Sequence, residues 1–79
     1  MAMGVIMLFG LNLEDAINLF DNGYSIRITL YYNNNDGFFS HRYNEKDFDE
    51  TEVLIFQKIV RGILKRFNVK LGDLIFEVV

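Results

Sequence analysis

The chain lacks cysteine, proline and tryptophan, and has one histidine, His41, in 79 residues. Without cysteine it can form neither disulfides nor thiolate metal sites, and nothing points to secretion. It also lacks a basic excess. Eleven acidic residues against eight lysines and arginines give a net charge of −3, which provides no global electrostatic footprint for nucleic acid. No long hydrophobic run is present either. The apolar stretch from Met1 to Leu13 has no basic start and no small-residue cleavage site, and it is too short to span a bilayer. It is expected to be part of the fold, the protein to be cytoplasmic, and a membrane not to be among its partners. No motif with catalytic, metal-binding or phosphate-binding spacing occurs, so the expectation is a non-enzyme with no catalytic residue, no metal and no cofactor.

What is present is hydrophobic and aromatic. A hydrophobic fraction of 51% with 24% charged residues is that of a globular protein. The length allows one domain, residues 1–79. A chain this short buries only about 60–65% of the surface its unfolded form exposes, so stability is modest or shared with a partner. Eight Phe and four Tyr exceed what a small core usually needs, which is the first sign of an apolar surface. Eight Asn, eight Ile and no Pro suggest an AT-rich coding source, such as a low-GC bacterium or its phages.

The clearest local signal is in the middle. Residues Tyr24 to Tyr32 alternate apolar and polar, break at Asn33-Asn34-Asn35-Asp36-Gly37, and resume as Phe38 to Tyr43. Alternation on both sides of an Asp-Gly turn predicts a β-hairpin. A four-residue loop Asn34 to Gly37, with glycine left-handed, pairs Tyr32 with Phe39, Leu30 with His41 and Ile28 with Tyr43. One face then carries Ile26, Ile28, Leu30, Phe39, His41 and Tyr43. The other carries Arg27, Thr29, Tyr31, Phe38, Ser40 and Arg42.

Around the hairpin, Val5 to Phe9 between Gly4 and Gly10 predicts a short buried strand. Asn12 is positioned as an N-cap, with Glu14 and Asp15 in the first turn and apolar Leu13, Ala16, Ile17 and Phe20 at helical spacing. Gly23 supplies the left-handed C-terminal residue. Asp49-Glu50-Thr51-Glu52 resembles a capping box for a second helix running to about Phe67. Its core arc is Val53, Phe56, Ile59, Val60, Ile63, Leu64 and Phe67, with Leu54 and Ile55 outside it. Asn68 to Asp73 is a turn, and Leu74 to Val79 a last strand. The order strand, helix, strand, strand, helix, strand predicts a small α+β, βαββαβ ferredoxin-like two-layer sandwich, with both helices on one sheet face. The alternative is αββαβ with a three-stranded antiparallel sheet.

His41 is expected to face the helices, where a lone histidine is a packing residue. Its neighbour Ser40 points to the opposite face, so the two form no dyad. The acids from Glu45 to Glu52 lack the glycine and spacing of a calcium loop, and capping explains them. Lys58, Arg61 and Lys65 make a basic stripe along the second helix, suited to a solvated face and secondarily to phosphate contact.

The open sheet face remains. There Arg27, Tyr31, Phe38, Arg42, Ile75 and Val79 form the candidate interaction surface, rich in the residue types found at interface hot spots. RNA-recognition domains have a similar layout and stack bases on this face. Asp36-Gly37-Phe38-Phe39-Ser40 shares only the glycine–aromatic part of their signature, with an acid where they carry a base. In size and element order the chain is also similar to small phage-encoded inhibitors, anti-CRISPR proteins among them. The likeness in letters is Asp47-Phe48-Asp49 before Thr51-Glu52, and it assigns no residue a role. The expected function is therefore a non-enzymatic protein-interaction module, a homodimer through the open face, in the setting of a phage or mobile-element accessory or inhibitor protein. The alternative is single-stranded nucleic-acid binding by that face.

Overall fold

The computed structural model describes residues 9–49 and 53–79. In chain order they form β1 (Phe9–Leu11), α1 (Leu13–Asp21), β2 (Ile26–Tyr32), β3 (Gly37–Tyr43), a 3-10 turn (Glu45–Asp47), α2 (Ile55–Phe67), a second 3-10 turn (Leu71–Asp73) and β4 (Leu74–Val78). The strands make one antiparallel sheet in the order β1-β4-β2-β3. The described residues are thus α+β, with a four-stranded antiparallel sheet and two helices.

The element order is the expected one, but the strand order is not that of a ferredoxin-like sheet, whose first and third strands are central. Here β2 and β4 are central. Over its described residues, Phe9–Leu11, β1 carries a left-handed Gly10 (φ 72°) and a register shift against β4. Such an irregularity weakens pairing, and the regular β4 takes the inner place beside β2. The three-stranded alternative fails because β1 does pair with β4. Most of the expected Val5–Phe9 strand lies outside the described residues.

α1 forms as its residues dictate. Asn12 Oδ1 accepts from the Asp15 amide at 2.8 Å, and Glu14 and Asp15 occupy the positive end of the helix. At the other end Gly23 is left-handed (φ 94°), and the amides of Gly23 and Tyr24 donate to Phe20 O and Leu19 O. Those two bonds constitute a Schellman stop. α2 departs from expectation by beginning at Ile55, after a left-handed Leu54 (φ 57°) with no side-chain cap. Of the expected capping box, residues 50–52 lie outside the described chain. Val53, ahead of the helix, is 69% exposed and does not join the core arc, whereas Ile55 packs partly against the core.

The hairpin loop is Asn33 to Asp36, and strand pairing runs unbroken from Tyr32↔Gly37 through Leu30↔Phe39 and Ile28↔His41 to Ile26↔Tyr43. The register is therefore two residues from the expected one. An even slip keeps every side chain on its expected face. The left-handed residues are Asn33, Asn34 and Asn35 (φ 54°, 56° and 73°), asparagine being the non-glycine residue that best tolerates this conformation. Gly37 serves a different purpose: any Cβ there would run into the ring of Tyr32.

Ala16 and Phe20 of α1, Phe56, Val60 and Ile63 of α2, Ile26, Ile28 and Leu30 of β2, and Leu74 and Phe76 of β4 form one buried core. Phe56 links the layers, with its ring centroid 5.0 Å from Phe20 and 5.8 Å from Phe76. Burying each such side chain contributes about 1.5–3 kcal/mol before entropy is counted. Most of the aromatic surplus is spent here and on its margin, where Phe39 and Tyr32 pack on Phe67. The expectation that the surplus marks a surface therefore holds for only a few rings.

Candidate functional site

Because both helices cover the Ile26–Ile28–Leu30 face of β2, the opposite face of the sheet has no layer above it among the described residues. Alternation brings out Arg27, Thr29 and Tyr31 from β2, Phe38, Ser40 and Arg42 from β3, and Ile75 and Glu77 from β4. The surface has two unlike ends. At the hairpin end Tyr31 and Phe38 are directly opposed, with ring centroids 5.1 Å apart, and are 50% and 59% exposed. At the other end Arg27 lies between Arg42 and Glu77, and its Nη1 is 3.4 Å from Glu77 Oε1. Between them Thr29 and Ser40 share a hydroxyl hydrogen bond of 3.3 Å beside Ile75. A shallow depression of about 220 Å³ runs along this face.

Of the residues expected at the site, Arg27, Tyr31, Phe38 and Ile75 line that depression. Arg42 is on the same face, opposite Arg27 at the margin. Val79 is apart from it, past the end of β4, its amide donating to Ser25 O. Glu77 was not expected. The alternation Leu74 to Val78 places it on Ile75's face, but its pairing with Arg27 required β4 to lie beside β2.

The secondary basic residues Lys58, Arg61 and Lys65 are exposed on α2. Lys58 borders a groove toward β3, while Arg61 borders another lined by Leu13 and Leu71. Arg66, next to Lys65 in the chain, stacks on Phe67 at 4.9 Å and lines the β3 groove.

His41 faces the helix side, as expected, but is exposed rather than packed away: it lies on edge strand β3, bordering an open groove between that strand and α2. Its ring lies 4.6 Å from that of Tyr43. Ser40 is on the other face, bonded to Thr29. Burial pushes the Tyr43 phenol above its usual 10.0, and the Arg66 guanidinium opposes that. Among the described residues no three His, Asp or Glu side chains are grouped to hold a metal, and no helix is long and apolar enough to cross a membrane. Compared with known proteins, the chain matches no family model, and neither a curated protein nor a solved structure is detectably similar to it.

Proposed function

We propose that this chain is a non-enzymatic interaction module that pairs with a second copy of itself through the open sheet face. The observation carrying the reading is the exposed Tyr31–Phe38 pair at one end of a face whose other end holds Arg27, Arg42 and Glu77. Such a face complements itself. A two-fold axis in the plane between two sheets, perpendicular to the strands, lays the aromatic end of one copy over the arginine end of the other. Arg42 would then meet an aromatic face, a contact worth about 0.5–2 kcal/mol depending on desolvation. Aligned packing of two sheets is a common way to bury such faces. A small binding module of this kind suits an accessory or inhibitor role in a phage or mobile element.

The test is solution mass by light scattering after size exclusion, for the wild type and for Tyr31→Glu combined with Phe38→Glu. A dimer that the double substitution splits into folded monomers supports the reading. A wild type that is monomeric at tens of micromolar sinks it. The same aromatic pair favours a second reading, single-stranded nucleic-acid binding, in which removing one stacking ring weakens binding by about 1–3 kcal/mol. The Arg27–Glu77 pair counts against it, since the carboxylate offsets a charge needed for phosphate. No retardation of any oligonucleotide at low salt would end that reading.

A further inference from the structure

Among the described residues the sheet has two edges, and they differ. β1 is irregular over its described part, with left-handed Gly10 and a register shift against β4. β3 is regular. It pairs with β2 through all of its seven residues, contains no proline, lysine or bulge, and pairs with no other described strand. Proteins usually blunt an edge with such devices, and an edge without them accepts an added strand. The chain also turns away from this edge. Just past Tyr43, the Asn44 side-chain amide donates to Gly23 O and Ser25 Oγ, on the β2 side.

The strand that fits this edge is a second β3. Two antiparallel copies related by a two-fold axis normal to the sheet keep their helices on one side, so opposed residues must share a face. The axis must then pass beside a residue, not between two. With the axis at Ser40, the midpoint of the strand, all seven residues are paired. On the open face Phe38, 59% exposed, meets the partner's Arg42 in a cation–aromatic contact. On the helix side Phe39 meets the partner's His41. Tyr43 comes opposite the partner's Gly37, beside the Tyr32 ring that already lies over that glycine. The strand holds no acid and one arginine, and the two arginines are set about 13–14 Å apart along the strands. Centring on His41 would oppose the two histidines. Centring on Phe39 would pair Tyr43 with Asn35, whose backbone is left-handed.

We propose that the β3 edge pairs with the β3 edge of a second copy, joining two sheets into one of eight strands. This contact is separate from the open-face contact proposed above and stands without it. Together the two define a closed assembly, a step that does rest on the face reading. In the face contact Tyr31 and Phe38 lie over Arg27 and Arg42 of the other copy, which sets its axis level with Thr29 and Ser40. The edge axis passes Ser40 as well, at right angles to the first. Two perpendicular two-folds that meet generate a third, so the chains close into a tetramer instead of growing into a fibre. A ladder of one strand pair buries less than a standard interface. The edge contact is therefore the weaker one and forms at higher concentration.

The test follows mass by light scattering and amide hydrogen exchange by NMR, from roughly ten micromolar to the order of a millimolar. The wild type is expected to pass from dimer to tetramer. Tyr31→Glu with Phe38→Glu removes the face contact but keeps the edge, since a glutamate at 38 faces the partner's Arg42; it should pass from monomer to dimer. In both proteins the alternate β3 amides that do not bond to β2 should gain protection, exchanging about twofold slower when half the chains are edge-paired. Adding Arg42→Glu opposes glutamates at two places and should hold the chain monomeric at an unchanged melting temperature, Arg42 being exposed. Edge amides that exchange equally fast at both ends of the range, in the wild type and the variant alike, overturn the edge contact. A wild type that stops at a dimer with those amides protected upholds the edge contact and sinks the face reading. Growth beyond four chains overturns the closed assembly.

Discussion

The two faces of β2 carry consecutive residues of one strand yet have opposite fates. On one face Ile26, Ile28 and Leu30 are fully buried beneath α1 and α2. On the other, Arg27 and Tyr31 remain in contact with solvent, and only Thr29, flanked by Ser40 and Ile75, is closed off. The difference teaches that burial here is decided by which face receives the helices. Neighbours within the sheet seal only the centre of the uncovered face. Stability is therefore concentrated on the face that the helices cover.

The largest effect should come from exchanging residues one position apart. Ile28→Ala is expected to cost about 2–5 kcal/mol, the lost transfer energy plus a cavity. Arg27→Ala should cost under about 1 kcal/mol, because its pair with Glu77 is largely solvent-screened. Urea denaturation measures both, and similar costs would break the comparison. Next is Gly37→Ala at the end of the hairpin. Its new methyl collides with the Tyr32 ring, for a cost of about 1–3 kcal/mol as the ring is displaced. An unchanged melting temperature would show that Tyr32 is not held there.

Gly62→Ala should act in the opposite direction. The helix layer has open space at that position, so alanine is expected to stabilise by about 0.5–1 kcal/mol. Destabilisation would mean that glycine is required by the fold. The smallest effect concerns pH. The folded-state pKa of Tyr43 is raised above 10.0 by burial, so its contribution is fully present below that value. It is lost as pH climbs from the unfolded pKa through the raised folded one. Chemical denaturation between neutral and strongly alkaline pH should show a decline that Tyr43→Phe flattens; an identical decline in the variant would place the cause elsewhere.

Much of the layout was legible because it rests on local chemistry. The Asn12 cap, the Gly23 stop, the β2–β3 hairpin and the apolar arc from Phe56 to Phe67 all follow from neighbours within a few residues. The hairpin's faces were right although its register was off by two, since a period of two is insensitive to an even slip. The start of α2 was misplaced because acids before an apolar run read as a cap, whereas the described helix begins only after Leu54. Of the candidate surface, the part on the hairpin was readable from alternation. The Arg27–Glu77 pair and the position of Val79 were not, because they depend on the placement of a strand 50 residues away.

By itself, then, the amino-acid order determined where the chain turns, where the helices start and stop in most cases, and which side chains share a face. Those are consequences of backbone sterics, capping and periodicity acting over short separations. Only the tertiary structure decided that β4 and not β1 lies beside β2, that β3 is an edge strand among the described residues, and that His41 is exposed. It also decided that Arg66, Gly62 and the β3 aromatics line one groove. These outcomes depend on competition among distant segments for pairing with β2. β4 pairs with β2 in unbroken register, whereas the described part of β1 shifts register against β4; each regular pair adds backbone hydrogen bonds and packed side chains that an irregularity forfeits.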